Sequence, residues 1–220
     1  LSAALGANCF ILASPGTTLT DSYFALKEAI AVKKPKVAVV ETFTIDDYES
    51  HKLKDGRLTD QFKSFSARKN TGMKLYSTPL LFASDNYVPA WSNTIRNHDF
   101  IFTDREQIKA NIELNKKPLP VDRRLYLGRY VRFTSGIEPE TLAKYDEPGF
   151  RGFDGSEFTV SDEALKYIRK TVDLCKEHDI KLVFMTLPVY YRHIYDYANI
   201  KETLVQSFAP YNVSWIDMQD

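Results

Sequence analysis

Four short apolar runs punctuate the chain: Cys9-Phe-Ile-Leu-Ala13, Val37-Ala-Val-Val-Glu41, Lys181-Leu-Val-Phe-Met-Thr186 and Val213-Ser-Trp-Ile216. Each has the length of a strand and little polar alternation, the pattern of strands buried on both faces of a parallel sheet. Between the first two runs the spacing predicts a helix capped by Thr20 or Asp21, closed by Lys33 and Lys34 and stopped by Pro35. A second helix is predicted before the third run. There Ser161 is the N-cap, Asp162 and Glu163 fill the first turn, and Leu165, Ile168, Val172 and Cys175 recur at helical spacing. A third, from Ile200 to Phe208, joins the last two runs.

Strand, helix, strand at both ends of the chain predicts βαβ units, a mostly parallel sheet and helices on both of its faces. The middle, residues 46–154, reads as a polar and aromatic excursion between two strands of one sheet. It is broken by Pro79, Pro89, Pro118 and Pro120 and carries one predicted helix near Asp104 to Leu114. Residues 1–220 therefore read as one α/β domain.

Composition narrows the class. With 44% hydrophobic, 13% aromatic and 26% charged residues, intrinsic disorder, collagen and coiled coil are excluded. Twenty-nine basic residues balance twenty-nine acidic ones, so no net field draws the chain toward nucleic acid or an acidic membrane. Cys9 and Cys175 stand far apart in apolar stretches and read as buried thiols, and no His, Cys and carboxylate set has metal spacing. No targeting segment is visible before the first run. The abrupt start at Leu1 and the strand-like end at Asp217-Met-Gln-Asp220 read as a piece of a longer chain.

In an open parallel sheet, ligands bind beyond the carboxyl ends of the strands. The residues that follow the four runs are Ser14-Pro15-Gly16-Thr17-Thr18, then Glu41-Thr42-Phe43-Thr44, then Leu187 to His193, and finally Asp217 and Asp220. The first is a small-residue loop entering a helix, so its backbone N–H groups can hold an oxyanion or make a plain turn. Glu41 is either a site residue or a solvated strand end. His178 sits where a cation meets a helix C-terminus, and His51 lies in a charged loop. His98 and His193 are the acid–base candidates. A basic cluster, Lys116, Lys117, Arg123, Arg124, Arg129 and Arg132, is interleaved with Tyr126, Tyr130 and Phe133. It is a solvated face or a surface for sugar or polyanion.

The run Leu12-Ala-Ser14-Pro-Gly16-Thr-Thr-Leu-Thr-Asp21-Ser-Tyr23, with Leu26-Lys-Glu-Ala29 and Lys34-Pro-Lys-Val37 after it, resembles bacterial SGNH/GDSL-type hydrolases. The branch is that of DltD-like and alginate O-acetyltransferase-like proteins. Asp173 to Val183, Thr186-Leu-Pro188 and Tyr211 to Asp217 fit the same branch. The resemblance implies a three-layer, flavodoxin-like α/β fold and an esterase or O-acyltransferase acting on acylated cell-envelope carbohydrate, outside the cytoplasm and without a cofactor. It also implies a membrane-bound acyltransferase as partner in the parent system. Such proteins carry a Gly-Asp-Ser-like block after the first strand and an Asp-x-x-His block after the last. This chain has neither, and Asp220 stands where the histidine would be. By resemblance, Ser14 and Gly16 contribute to an oxyanion hole. Glu41 and Thr42 stand at the block that normally ends in Asn. Tyr190 and Tyr191, in the loop after the third run, are candidate substrate contacts by their place beyond a strand end. The chain is then a scaffold without nucleophile or base. The alternative is a non-catalytic carbohydrate-binding or structural relative, with the Tyr190/Tyr191 loop and the basic cluster as its contact surface. Flavodoxin-like order further implies that Cys9–Ala13 and Val37–Glu41 are separated by the width of one absent strand.

Overall fold

The computed structural model describes residues 9, 10, 12, 18–42, 56–96, 109, 125, 126, 129, 130, 153–188 and 194–219. In chain order the elements are α1 (Leu19–Val32), β1 (Val37–Glu41), α2 (Gly56–Ala67), α3 (Thr71–Leu81), α4 (Tyr87–Trp91) and α5 (Asn93–Arg96). Then come the two-residue strands β2 (Leu125–Tyr126), β3 (Arg129–Tyr130) and β4 (Phe153–Asp154), followed by α6 (Asp162–Glu177) and β5 (Lys181–Thr186). A further two-residue strand, β6 (Ile194–Tyr195), precedes α7 (Tyr197–Phe208) and β7 (Ser214–Asp217). The chain is thus a mixed α/β structure built on a small parallel sheet of order β1-β5-β7. Its register sets Val39 beside Val183 and Val183 beside Ser214. Two smaller ladders accompany it, antiparallel β2-β3 and parallel β4-β6.

The sheet winds in one direction, and that decides where its core lies. Right-handed crossovers from β1 to β5 and from β5 to β7 put both connecting helices on the same face. The core agrees. Val40, Leu182 and Phe184 point into it beside Phe24 of α1, Ile168 and Val172 of α6, and Leu204 and Phe208 of α7. Phe184, fully buried, stacks on Phe208 at 4.4 Å between ring centroids, and burial of such a ring is worth roughly 1.5–3 kcal/mol. The opposite face is different. Val39 is 54% exposed and Ile216 45%, so the expectation of strands buried on both faces holds only near the centre of β5. The helices expected on both faces are found, among the described residues, on one.

The first apolar run is also corrected. Cys9, Phe10 and Leu12 belong to no strand, Phe10 and Leu12 are exposed, and Cys9 is half-buried rather than a core thiol. Ile11 and Ala13 lie outside the described residues, and β1 has β5 as its one ladder partner among those described. Cys175 is buried as expected, and burial pushes its thiol up to about 11. In the middle segment, α2 to α5 replace much of the expected irregular excursion. Both prolines there are accommodated. Pro89 falls in the first turn of α4, where its missing N–H would have no helical partner, while Pro79 sits inside α3. The helix expected near Asp104 to Leu114 lies outside the described residues apart from Lys109, which is helical.

Helix α1 is capped by Thr18, two residues before the expected Thr20 and three before Asp21. Its hydroxyl accepts from the Asp21 backbone N–H at 3.2 Å and donates to Asp21 Oδ2 at 3.0 Å. Asp21 is therefore not a solvated first-turn acid. It is buried and receives Arg68 Nη2 on Oδ1 at 2.6 Å and Gln61 Nε2 on Oδ2 at 3.3 Å. Arg68 also donates to Ser77 Oγ at 3.3 Å, and its guanidinium lies over the Phe24 and Phe65 rings. One ion pair thus joins α1, α2, the α2–α3 connection and α3. Burial pushes the Asp21 carboxyl above its ordinary value, against the downward pull of Arg68.

Helix α6 starts and stops as its sequence predicts. The Ser161 hydroxyl accepts from Ala164 N at 3.2 Å, with Asp162 and Glu163 in the first turn. At the other end His178 is the C-cap, the Ile180 N–H bonds Cys175 O at 2.8 Å and the Asp179 N–H bonds Lys176 O at 3.2 Å, a Schellman closure. Asp179 takes the left-handed position at φ 53°, where glycine is the unstrained choice. The α7 prediction is extended N-terminally to Tyr197, and the last strand is Ser214–Asp217, one residue later than expected.

Two outcomes follow. Asp21→Leu leaves a buried guanidinium without its carboxylate and is expected to cost about 3–5 kcal/mol, whereas Asp21→Leu with Arg68→Met recovers most of that loss; urea unfolding of both single variants and the double variant measures the coupling. Asp179→Gly is expected to stabilise the chain by up to about 1 kcal/mol. It should appear as a higher urea midpoint with an unchanged slope.

Candidate functional site

Parallel strands end together, so the residues closing β1, β5 and β7 share one edge. Backbone pairing continues one step past β7, where the Met218 N–H bonds Thr186 O at 3.0 Å. At this edge Thr42 and Thr186 are buried, with their hydroxyl oxygens 2.7 Å apart. The indole N–H of Trp215 donates to Thr186 Oγ1 at 3.0 Å. Thr186 therefore bridges the edge: it accepts from Trp215 and shares one proton with Thr42. The Thr42 hydroxyl, expected to line an oxyanion or substrate, is held inside this bridge. Glu41, half-buried, stands opposite Met185 on the other face of the sheet.

Asp217, at the end of β7, is the second polar centre. Its Oδ1 accepts from the Tyr197 hydroxyl at 2.7 Å and from the Gln219 N–H at 3.0 Å. Lys201 Nζ lies 3.7 Å from Oδ2, an ion-pair distance too long for a direct hydrogen bond. The two α7 residues are four apart, so one helix face presents both to the carboxylate. The side chain of Asp217 is 11% exposed. Helix α7 enters this edge through Asp196 at φ 51°, a left-handed residue with no side-chain cap bond. The first turn of α7 therefore brings its positive end toward Asp217.

The other expected site residues divide simply. Ser14, Gly16, Tyr190, Tyr191, His98 and His193 lie outside the described residues, as do His51, Lys116, Lys117, Arg123, Arg124, Arg132 and Asp220. Of the small-residue loop only Thr18 is described, and its hydroxyl serves Asp21. In the basic cluster Tyr126, Arg129 and Tyr130 fall in the β2-β3 ladder. His178 is the one described histidine. It caps α6 at the amino edge of the sheet, opposite the polar centre, and no described hydroxyl or thiol hydrogen-bonds to it. Among the described residues no group of three metal-ligating side chains comes together, and no helix is long and apolar enough to cross a membrane.

Sequence reading named Asp217 but missed Tyr197 and Lys201, which hold it. The signal was present as a Tyr-x-x-x-Lys spacing at the start of the helix before the last strand. Asp217 Oδ2 is itself buried and has no hydrogen-bond partner among the described residues, so a ligand's donor reaches it only if the start of α7 shifts, and the threonine pair ties two of the strand ends together. No protein-family model, curated protein or solved structure matches this chain.

Proposed function

We propose that the chain is the scaffold of an SGNH-like esterase or O-acyltransferase, of three-layer flavodoxin-like type, which holds an acylated cell-envelope carbohydrate at the carboxyl ends of β1, β5 and β7. One observation carries the reading: three parallel strands in successive order converge on an edge where Asp217 is held by Tyr197 and Lys201. Asp217 Oδ2, buried and without a hydrogen-bond partner among the described residues, is the acceptor a sugar hydroxyl would satisfy once the start of α7 shifts to admit it. In this reading the chain supplies neither nucleophile nor base. The expected oxyanion donors Ser14 and Gly16 and the expected sugar contacts Tyr190 and Tyr191 belong to this reading and lie outside the described residues. The parent system works outside the cytoplasm with a membrane-bound acyltransferase partner.

A second reading is favoured by the threonine bridge. Thr42 and Thr186 are both buried and bonded to each other, which suits a non-catalytic carbohydrate-binding relative better than a reacting centre.

Titration calorimetry with an O-acetylated oligosaccharide, and with the same sugar after deacetylation, separates the two. The first reading expects saturable binding that prefers the acetylated form. It also expects roughly tenfold or greater weakening by Asp217→Ala, the loss of one charged hydrogen bond, with an unchanged circular dichroism spectrum. Equal affinity for both sugars selects the second reading. With p-nitrophenyl acetate the chain is expected to show no saturation. Saturable turnover abolished by a single side-chain change would overturn the scaffold reading.

A further inference from the structure

The face of the sheet turned away from the core has its own chemistry. Alternation along the strands puts Val37, Val39, Val183, Met185 and Ile216 on it, and Leu187 and Met218 continue the same phase just past the strand ends. Exposure follows that phase on the outer strands and at the strand ends: Val37, Val39, Leu187, Ile216 and Met218 are between 45% and 54% exposed, while Val40, Leu182 and Phe184 on the other face are at most 9%. On the central strand the outward Val183 is 8% exposed and Met185 half-buried. None of the outward-phase residues joins the core cluster. Both right-handed crossovers lie on the core side, so no described connection returns across this face. Parallel sheets are stable with both faces covered, and helices are the usual cover.

We propose that this face is a docking surface for an amphipathic helix of a partner protein, lying antiparallel to the strands with its apolar side on Val39, Met185 and Ile216. Three features select that occupant. The first is width. Three strands span about 10 Å between their outer members, which one helix, about 10–12 Å across, fills. The second is area. A face this narrow and at most six residues long falls well short of the ~800 Å² per partner typical of a stable dimer. A second copy stacked sheet on sheet would therefore bury too little, whereas a reversible helix contact fits. The third is charge. At the amino edge the exposed Lys34, Lys36 and Lys181 outnumber Asp179, and at the carboxyl edge Glu41 lies on this face. A helix antiparallel to the strands brings its negative C-terminal end to the lysines and its positive N-terminal end to Glu41. The parallel orientation reverses both contacts.

The probe is a fluorescein-labelled peptide of about 16 residues with leucines on one helical face and alternating Glu and Lys elsewhere. Its anisotropy is followed against the 220-residue chain. A scrambled peptide of the same composition, without an apolar face, is the control. The expected result is saturable binding of the patterned peptide alone, at least tenfold weaker to Val39→Lys and to Ile216→Lys. Lys181→Glu weakens it as well, and that effect shrinks as salt is raised. Val39 and Ile216 are about half exposed, and two variants on different strands guard against a local folding defect, with circular dichroism and the urea midpoint checked for each. Equal binding of the scrambled peptide, or unchanged affinity in both lysine variants, would overturn the proposal. So would sedimentation of the unmodified chain as a dimer that Val39→Lys dissociates, which would assign the face to a second copy.

Discussion

The chain depends on one buried ion pair. Asp21 and Arg68 meet at 2.6 Å with side-chain exposures of 1% and 4%, at the point where the sheet-bearing core and a second cluster adjoin. The second cluster, Phe62, Phe65, Leu81, Phe82 and Ala90, belongs to α2, α3 and α4. Phe24, in the first cluster, and Phe65, in the second, both lie beneath the Arg68 guanidinium. Desolvation of two charges is costly, and their attraction offsets it only when every remaining donor and acceptor is used. Thr18, Gln61 and Ser77 are buried because they serve that requirement. The pair fixes which way the α2–α3 hairpin sits on α1 more than it adds net stability.

The same economy of polar groups shapes the carboxyl edge of the sheet. Thr42, Thr186 and Trp215 close a chain of bonds across all three strands, and Asp217 is drawn toward α7 by Tyr197. The edge is cross-linked by hydrogen bonds where the strands meet and polar where α7 begins, and Asp217 Oδ2 there is buried without a hydrogen-bond partner among the described residues. Not every buried polar group is so well served. The hydroxyls of Tyr167 and Thr171, one turn apart on α6, are buried without a hydrogen-bond partner among the described residues, and burial raises the Tyr167 phenol well above its usual range.

How much of this was legible depends on the range of the interaction involved. Helix α6 was readable almost residue by residue, because Ser161, the acids after it and the apolar spacing are all local signals. The strands β1, β5 and β7 were readable as apolar runs, but their half-exposed outer face was not, since a run of valines looks the same whether one face is covered or two. Cys9, Phe10 and Leu12 show the limit of that signal: an apolar residue in such a run need not lie in a strand. The α2–α4 region was misread because Pro79 and Pro89 looked like breakers and because its ordering partner, Asp21, lies 47 positions from Arg68. At the carboxyl edge Glu41, Thr42 and Asp217 were placed by following the strands, yet Tyr197 and Lys201 could be linked to Asp217 only once the crossover was known.

The register of the sheet also orders its assembly in time. The contacts joining β5 to β7 close a short loop, as with Trp215 and Thr186, 29 positions apart, whereas Thr42 and Thr186 are 144 apart. Closing the longer loop costs about 1.4 kcal/mol more in chain entropy, and non-local pairings of this kind slow folding. The β5–α7–β7 unit, with Phe184 stacked on Phe208, is self-contained enough to form first and wait. On these loop lengths strand β1 is expected to pair last, with the Thr42–Thr186 bridge closing at that step.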